Sequence, residues 1–504
     1  MPGVLDGPGH VPTDADEAYA ALIARLYALS RSGTHLGLGR IAQALVDLGH
    51  PEIGRPVVHV AGSNGKGSVC AFLSSILGAF GRKRVGLYTS PHLVSLTERV
   101  QIVEDAVARP VSRADLMAAI QRVEAVAPEF SDLTFFEVMT AAGLVCLSAG
   151  GSELDVIEAG LGARLDATRL VPADVAVLTD LSLEHTDYLG ATIEAIAREE
   201  GEVMRPGRPL VCADGPPAAM NVVDRRAKAL GVEVHRIGSA MTCETTAPGV
   251  YRFRLSVGTA GPGEVVTQGG VVTQGGVVTQ GGVVTQAASG GQGARIRQVE
   301  REGVRRDARA LRREQRIVEG IRLSLLGPHQ QRNALLAAQA AVLIDPAVSD
   351  DAIREGLRRA SWPGRMEVVM PTGLWRAPIL LDGAHNAQGA EALAAALRAD
   401  RARFAGPLHF VFAVMRDKDI AGMLAHLLPL AARFTVVSIG TARCADPSEV
   451  LALAEPGFRD RIELGGDLKQ ALSAASESAF ADQGWVVAAG SLYLVGALRA
   501  LLRT

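Results

Sequence analysis

The chain has 504 residues, of which 48% are hydrophobic and 21% charged. At about 150 residues per domain this length excludes a single small module, and the apolar share excludes wholesale disorder. A net charge of −3, from 51 basic and 54 acidic side chains, excludes the global field that draws a chain to nucleic acid or to a membrane surface. A small ligand is expected instead.

Five cysteines, Cys70, Cys146, Cys212, Cys243 and Cys444, are widely spaced and form no CxxC pair, which argues against a disulfide framework and a zinc site. The opening residues carry no basic patch with an apolar stretch behind it, and no later run reaches about 18 apolar residues. A soluble, cytoplasmic protein is expected. Only five of the basic residues are lysine (Lys66, Lys83, Lys228, Lys418, Lys469), so each lysine marks a place where arginine was not used.

In chain order, the apolar stripe Leu22, Ile23, Leu26 and Leu29 predicts an amphipathic helix from about Glu17, with Asp14 and Glu17 at capping-box spacing. A second helix is predicted near Ile41 to Leu48. Val57 to Ala61 reads as a buried strand that feeds the loop Gly62-Ser-Asn-Gly-Lys-Gly-Ser68 and a helix to Phe80. Further strands are predicted at 85–88, 154–158, 175–179, 210–212 and 232–235, between helical patterns such as 136–147 and 193–200. Such alternation predicts a mostly parallel sheet covered by helices.

Residues 265–286 hold four Val-Val-Thr-Gln copies joined by Gly-Gly, and an arginine-rich stretch follows to Arg316. Residues 261–316 are therefore taken as a low-complexity surface insertion that adds little to the core. A strand at 321–326 and helices at 331–343 and 351–359 lead to Trp362-Pro-Gly364, where a new series of strands and helices begins. The fold class is α/β: an ATPase-like unit over 1–360 and a smaller Rossmann-like unit over 361–504.

The loop from Gly62 to Ser68 has the chemistry of a phosphate cradle. Its glycines let backbone N–H groups converge on an anion at a helix N-terminus, and Lys66 supplies charge. Gly67 separates Lys66 from Ser68, unlike the usual P-loop. A glycine-rich turn alone is ordinary; the preceding strand, the following helix and the scarce lysine make it a nucleotide site. Glu158 ends an apolar strand, and carboxyl ends of parallel strands are where ligands collect.

A set of motifs appears in one order: His59-Val-Ala-Gly-Ser-Asn-Gly-Lys-Gly-Ser68, Thr89-Ser-Pro-His-Leu93, Thr134-Phe-Phe-Glu137, Glu158 to Thr168, and Glu184-His-Thr-Asp-Tyr-Leu-Gly190. It continues with Gly327-Pro-His-Gln330, Trp362-Pro-Gly-Arg365, Leu381-Asp-Gly-Ala-His-Asn386, Asp417-Lys-Asp419 and Gly490-Ser-Leu-Tyr493. The chain in this respect resembles the folylpolyglutamate and dihydrofolate synthases of the Mur ligase superfamily. The resemblance implies an ATP-dependent ligase that phosphorylates a folate carboxylate and joins L-glutamate to it through an acyl phosphate, with dihydropteroate as a second candidate acceptor.

The same resemblance implies ATP contacts from Ser63, Asn64, Gly65, Lys66, Gly67, Ser68, Asn333, Arg365 and Asp382, and Mg²⁺ held by Ser90, Glu158 and His185. Catalytic roles fall to Lys66, His385 and Arg365. Folate contacts would come from Leu36, Gly37, Thr134, Phe135, Phe136, Glu137, Leu165, Asp166 and Ala167. A monovalent cation is left open, and a monomer is expected because a closed two-domain cleft needs no partner.

The chain departs from this pattern at Glu200. The family carries a lysine there that CO₂ carbamylates, whereas this sequence reads Arg198-Glu-Glu-Gly-Glu202 and has no lysine between Lys83 and Lys228. Either Glu200 supplies the carboxylate directly, although its reach is shorter by roughly 4 Å, or it is a solvated helix residue. Smaller departures are His35, Arg169 and Glu184. Two rival readings stand: a muramyl-type amino-acid ligase, and a catalytically silent ATP-binding protein.

Overall fold

The computed structural model describes residues 14–29, 37–81, 83–130, 132–257, 314–373 and 375–502. Leu36, His35 and most of the expected insertion, including the Val-Val-Thr-Gln repeats, lie outside them.

The first sheet comprises β1 (Val57–Ala61), β2 (Val85–Tyr88), β3 (Val100–Glu104), β4 (Val107–Pro110), β5 (Leu154–Glu158), β6 (Val175–Leu178), β7 (Leu210–Cys212) and β8 (Val234–Arg236). Its order is β4-β3-β2-β5-β1-β6-β7-β8. Pairing is parallel from β2 through β8, and the β3–β4 hairpin adds an antiparallel edge that the sequence reading missed. All five residues of β1 are buried, because helices cover both faces of the strand.

One of those helices is Lys66–Ala79, whose residues from Gly67 to Gly78 are all buried. A helix apolar on every side must be surrounded. Helices His329–Ile344 and Asp350–Arg359 pack against it, and a Cβ built on Gly356 would lie 2.3 Å from Ile76 Cα. The Ser75 hydroxyl seals this crossing by donating to the Gly356 carbonyl at 2.8 Å. On the other face, helices Gly39–Asp47, Arg113–Val126 and Phe135–Ala149 enclose a second apolar cluster that also takes Leu22 and Leu26 from helix Asp14–Leu29.

Three antiparallel strands, β9 (Thr242–Ala247), β10 (Val250–Val257) and β11 (Glu314–Ile321), form a small sheet. Phe253, Leu255, Val318 and Ile321 are buried in the same cluster as the apolar residues of helix His329–Ile344. Two expectations are corrected here. Residues 314–316 belong to β11 and not to the insertion, with Val257 paired opposite Glu314. The strand expected at 321–326 ends at Ile321, and the rest is a loop. Its apolar residues serve two cores: Leu325 is buried in the cluster around helix Lys66–Ala79, whereas Leu326 packs on that of the second large sheet.

That second sheet comprises β12 (Glu367–Val369), β13 (Ile379–Leu381), β14 (Leu408–Phe412), β15 (Ala431–Val436), β16 (Ile462–Leu464) and β17 (Trp485–Ala489), in the order β12-β13-β17-β14-β15-β16. Pairing is parallel except at β12, which is antiparallel. Among the described residues no helix is long and apolar enough to cross a membrane.

The Gly356 crossing yields a sign test. Helix propensity alone makes Gly356→Ala stabilising by about 1 kcal/mol, but the methyl has no room against the Ile76 backbone. Gly356→Ala is expected to lower stability by about 1–3 kcal/mol, measured as a reduced midpoint of chemical denaturation.

Candidate active site

Gly62 and Gly65 both have positive φ, at 123° and 93°. A Cβ on Gly62 would lie 2.3 Å from Thr179 Oγ1, and one on Gly65 2.5 Å from Asn333 Oδ1. Glycine is required here by conformation and by space. Several loop N–H groups are already committed: Gly62 N donates to Glu200 Oε2 at 3.0 Å, and Ser63 N and Asn64 N both donate to the Asp180 carbonyl, at 2.9 and 3.2 Å. The anion cradle therefore narrows to the first turn of helix Lys66–Ala79, whose N–H groups have no partner within the helix. Trp362 closes it from the side, since a Cβ on Gly67 would meet the indole at 2.7 Å.

Lys66 folds back over this loop, and its Nζ donates to the carbonyls of Gly62 (2.5 Å) and Ser63 (3.0 Å). Desolvation pulls its pKa down, but the carboxylates of Glu184, Glu200 and Glu158 outweigh this and leave it above the ordinary lysine value. Glu158, at the C-terminal end of β5, accepts from Ser90 N at 3.0 Å. Burial pushes Glu158 and Glu200 each up to about 7, with Lys66 opposing the shift in both. Glu200 is only 2% exposed, so the solvated-residue reading of this position is wrong. Its helix, Ile193–Gly201, turns it inward onto the phosphate loop.

The second sheet brings its own groups to the same place. Asp382, just beyond β13, accepts from Ala384 N (2.8 Å) and Met366 N (2.9 Å). Asn386 caps helix Ala387–Ala399 through Gly389 N at 2.7 Å, and its amide donates to Asn64 Oδ1 and Glu184 Oε2, both at 3.2 Å. Asn64 in turn donates to Gln388 Oε1 at 2.6 Å. His385 donates through Nδ1 to the Gly383 carbonyl at 2.8 Å. Burial and Arg365 hold it down to about 4, so the ring is neutral with Nε2 as an acceptor. Arg365 makes no ion pair with a carboxylate among the described residues.

A cavity of about 320 Å³ lies between the two sheets, and six of the nine expected ATP residues line it: Asn64, Gly65, Ser68, Asn333, Arg365 and Asp382. Gln330 links two of them, donating to Ser68 Oγ at 3.3 Å and accepting from Asn333 Nδ2 at 3.0 Å.

The expected acid-substrate residues gather on the other side of β5. Thr134 and Glu137 form a capping box, and Glu137 also pairs with Arg40 at 3.2 Å. Asp166 accepts from the N–H groups of Gly160 (2.9 Å), Leu161 (3.0 Å) and Thr168 (3.0 Å). These polar groups are spent on scaffolding, which leaves Phe135 and Phe136 as the rings they hold. Phe136 packs on Gly160, while Phe135 is stacked by Tyr27 at 5.5 Å and covered by the Arg99 guanidinium at 5.3 Å. Leu165 and Ala167 flank Asp166, and Gly37, with φ 143°, lies near Arg40. Tyr27 and Arg99 went unnoticed in the sequence, because Tyr27 lies on a helix about 100 residues distant in the chain.

No group of three or more His, Cys, Asp or Glu side chains is preassembled for a metal among the described residues. The expected set contains only two such residues, joined by Ser90. The donors nevertheless suit a hard cation: Glu158 is a buried carboxylate fixed beside Ser90, and Lys66 is surrounded by negative charge. His185 is exposed at the start of a short helix, in the left-handed region at φ 49°. Desolvation by the groups around its ring and then the Lys418 charge lower its pKa from the ordinary value.

Comparison with known proteins decides the family. Residues 370–503 match the family described as Dihydrofolate synthetase, C-terminal domain. The chain is 30% identical over 503 residues to the dihydrofolate synthase/folylpolyglutamate synthase of Mycobacterium tuberculosis, covering 92% of this chain and 89% of that protein. Against the Escherichia coli protein of the same description it is 30% identical over 392 residues, covering 78% and 75%. The chain belongs to the folylpolyglutamate and dihydrofolate synthases. Among solved structures it is similar to the Mycobacterium tuberculosis folylpolyglutamate synthase complexed with ADP and AMPPCP, with TM-score 0.76, 28% identity and coverage of 96% and 99%. It is also similar to an Escherichia coli enzyme complexed with DHPP and ADP, with TM-score 0.75, 27% identity and coverage of 98% and 99%. Members of this family are ATP-dependent ligases, so the silent-protein and muramyl-ligase readings give way.

Within the synthase, one ammonium balances three carboxylates, which makes Lys66 a stability element as well as a site residue. Lys66→Met is expected to lose at least about 100-fold in turnover and, after allowance for partial exposure, about 2 kcal/mol of stability. Adding Glu200→Gln should restore part of the stability and none of the turnover, as read by thermal denaturation beside an ADP-release assay.

Proposed function

We propose that this synthase binds ATP in the cavity between its two sheets and adds L-glutamate to a reduced folate, with dihydropteroate as a second acceptor. The residue division follows: 1–360 for the nucleotide and the acid, 361–504 for the amino-acid side. An oxygen of the folate carboxylate attacks the γ-phosphorus, and the bond to the β-phosphate oxygen breaks to release ADP. The glutamate amine then attacks the acyl carbon, loses a proton, and displaces phosphate.

The observation that carries this reading is the position of Lys66. It joins a helix N-terminus suited to phosphate with a negative field from Glu184, Glu200 and Glu158, of which Glu158 is the carboxylate placed for a divalent cation. Carboxylate and triphosphate repel, so the reaction needs fixed positive charge between them. Ser90, Glu158 and His185 would hold Mg²⁺, which when bound neutralises like charges and aligns oxygens.

Lys66 is the resident cation on the phosphate side. Arg365, which makes no carboxylate ion pair among the described residues, supplies a second from the linker between the sheets as phosphoryl charge develops. His385, neutral with Nε2 exposed as an acceptor, orients groups at the reacting phosphoryl. Phe136 offers its ring to the aromatic portion of the acid, and Phe135, stacked by Tyr27 and covered by Arg99, backs that wall.

Glu200 replaces the family's modified lysine at a fixed point, its carboxylate held by Gly62 N instead of extended toward a metal. Its negative charge needs no CO₂. Turnover should therefore be unchanged when bicarbonate is stripped from the buffer, and Glu200→Gln, which keeps an acceptor for Gly62 but not the charge, should lose about 100-fold in kcat. Full activity in Glu200→Gln would remove Glu200 from the mechanism. Acceptor choice is tested by measuring glutamate-dependent ADP release with tetrahydrofolate and with dihydropteroate. Release with neither acid would overturn the proposal.

A further inference from the structure

The loop Ser90–Ser95 is gripped by the first unit along its length. Ser90 N donates to Glu158 Oε2 at 3.0 Å. Leu93 N and Ser95 N donate to the Glu98 carboxylate at 2.7 and 3.1 Å. The His92 ring sits between Tyr27 Oη at 3.1 Å and Arg99 Nε at 2.9 Å.

The same loop is gripped from the other unit. Leu93 packs against an apolar cluster of the second sheet that includes Leu494, Val495 and Leu498 of helix Leu492–Leu502. A Cβ built on Gly496 in that helix would lie 2.1 Å from the Leu93 carbonyl oxygen, and one on Gly364 would lie 3.2 Å from Leu93 Cδ1. Glycine inside a helix is ordinarily a cost, yet at Gly496 no larger residue fits. The Leu93 peptide is thus the point where the C-terminal helix rests on the loop, three residues from Ser90.

We propose that Leu93 and Gly496 are positioning residues that couple the seating of the C-terminal unit to the placement of Ser90 beside Glu158. The inference rests on the ligase reading above. Its chemical consequence is that the metal-binding end of the loop is in register only when both units are together, so phosphoryl transfer is held off while the cleft is open to water. Neither residue touches substrate; both act through the loop backbone.

The test compares wild type with Leu93→Ala, Gly496→Ala and Leu468→Ala. Leu468 packs on the same cluster but has no tie to the loop. Three quantities are read: the thermal midpoint, the Mn²⁺ affinity of the ADP-bound protein by electron paramagnetic resonance, and the Mg²⁺ concentration for half-maximal ADP release. Leu93→Ala and Gly496→Ala are expected to weaken Mn²⁺ binding and to raise the Mg²⁺ requirement by about 10-fold or more. Leu468→Ala should lower the thermal midpoint and leave both metal readouts at the wild-type value.

Metal readouts of Leu93→Ala and Gly496→Ala equal to those of Leu468→Ala would overturn the coupling. Should Gly496→Ala fail to fold, Leu93→Ala decides alone, because it removes atoms from a partly exposed loop residue and adds none. Absence of acid-dependent ADP release in wild type would defeat the ligase reading, and the Mn²⁺ affinities would still decide the coupling.

Discussion

Concentrating negative charge at the end of a parallel sheet is costly, and one ammonium group makes it tolerable here. Glu158, Glu184 and Glu200 reach Lys66 from three different segments, and two of them are buried deeply enough to titrate near neutrality. The arrangement explains why this position holds a lysine in a chain that elsewhere prefers arginine. A compact ammonium on a flexible stem can fold back onto two loop carbonyls, which a planar guanidinium would do poorly. The cluster sets three carboxyl groups against one ammonium, and because burial lifts Glu158 and Glu200 to about 7, a divalent ion bound beside them would favour their charged forms.

The two sheets meet through contacts with little room for adjustment. Trp362 lies on Gly67, Asn333 on Gly65, and Asn386 spans Asn64 and Glu184. Asn333 does so from within the first unit, whereas Trp362 and Asn386 bring residues from beyond position 360 against the phosphate loop and Glu184. Leu325 and Leu326, neighbours in the chain, bury themselves in different cores, so the connecting segment is anchored on both sides. The cleft is consequently lined by side chains whose own hydrogen bonds cross it.

Much of this architecture was legible in the sequence. The buried strand at Val57–Ala61, the glycine loop and the following helix obey local rules, and their positions agree to within a residue or two. The ordered motifs placed the site residues because the resemblance supplied a three-dimensional context that spacing could not. What local rules missed was mostly tertiary. The edge hairpin β3–β4 is half-exposed and has no strong alternation. The segment Ile321–Leu326 reads as a strand because apolar and polar residues alternate in it, yet Ile321 and Leu325 are buried in one core and Leu326 packs on another. Thr134, Glu137 and Asp166, read as substrate contacts, also have structural partners that spacing could not show: the capping box, Arg40 and the Gly160 N–H. Only the folded chain could show that Glu200, in the last turn of helix Ile193–Gly201, points inward.

Val257 and Glu314 face one another across a regular antiparallel ladder, so the excursion between them leaves and returns at adjacent positions on an outer strand pair. The length of chain between these two positions is therefore not what sets their register: the pairing of Val257 with Glu314 is fixed by the ladder on its near side, where Phe253, Leu255 and Val318 are buried.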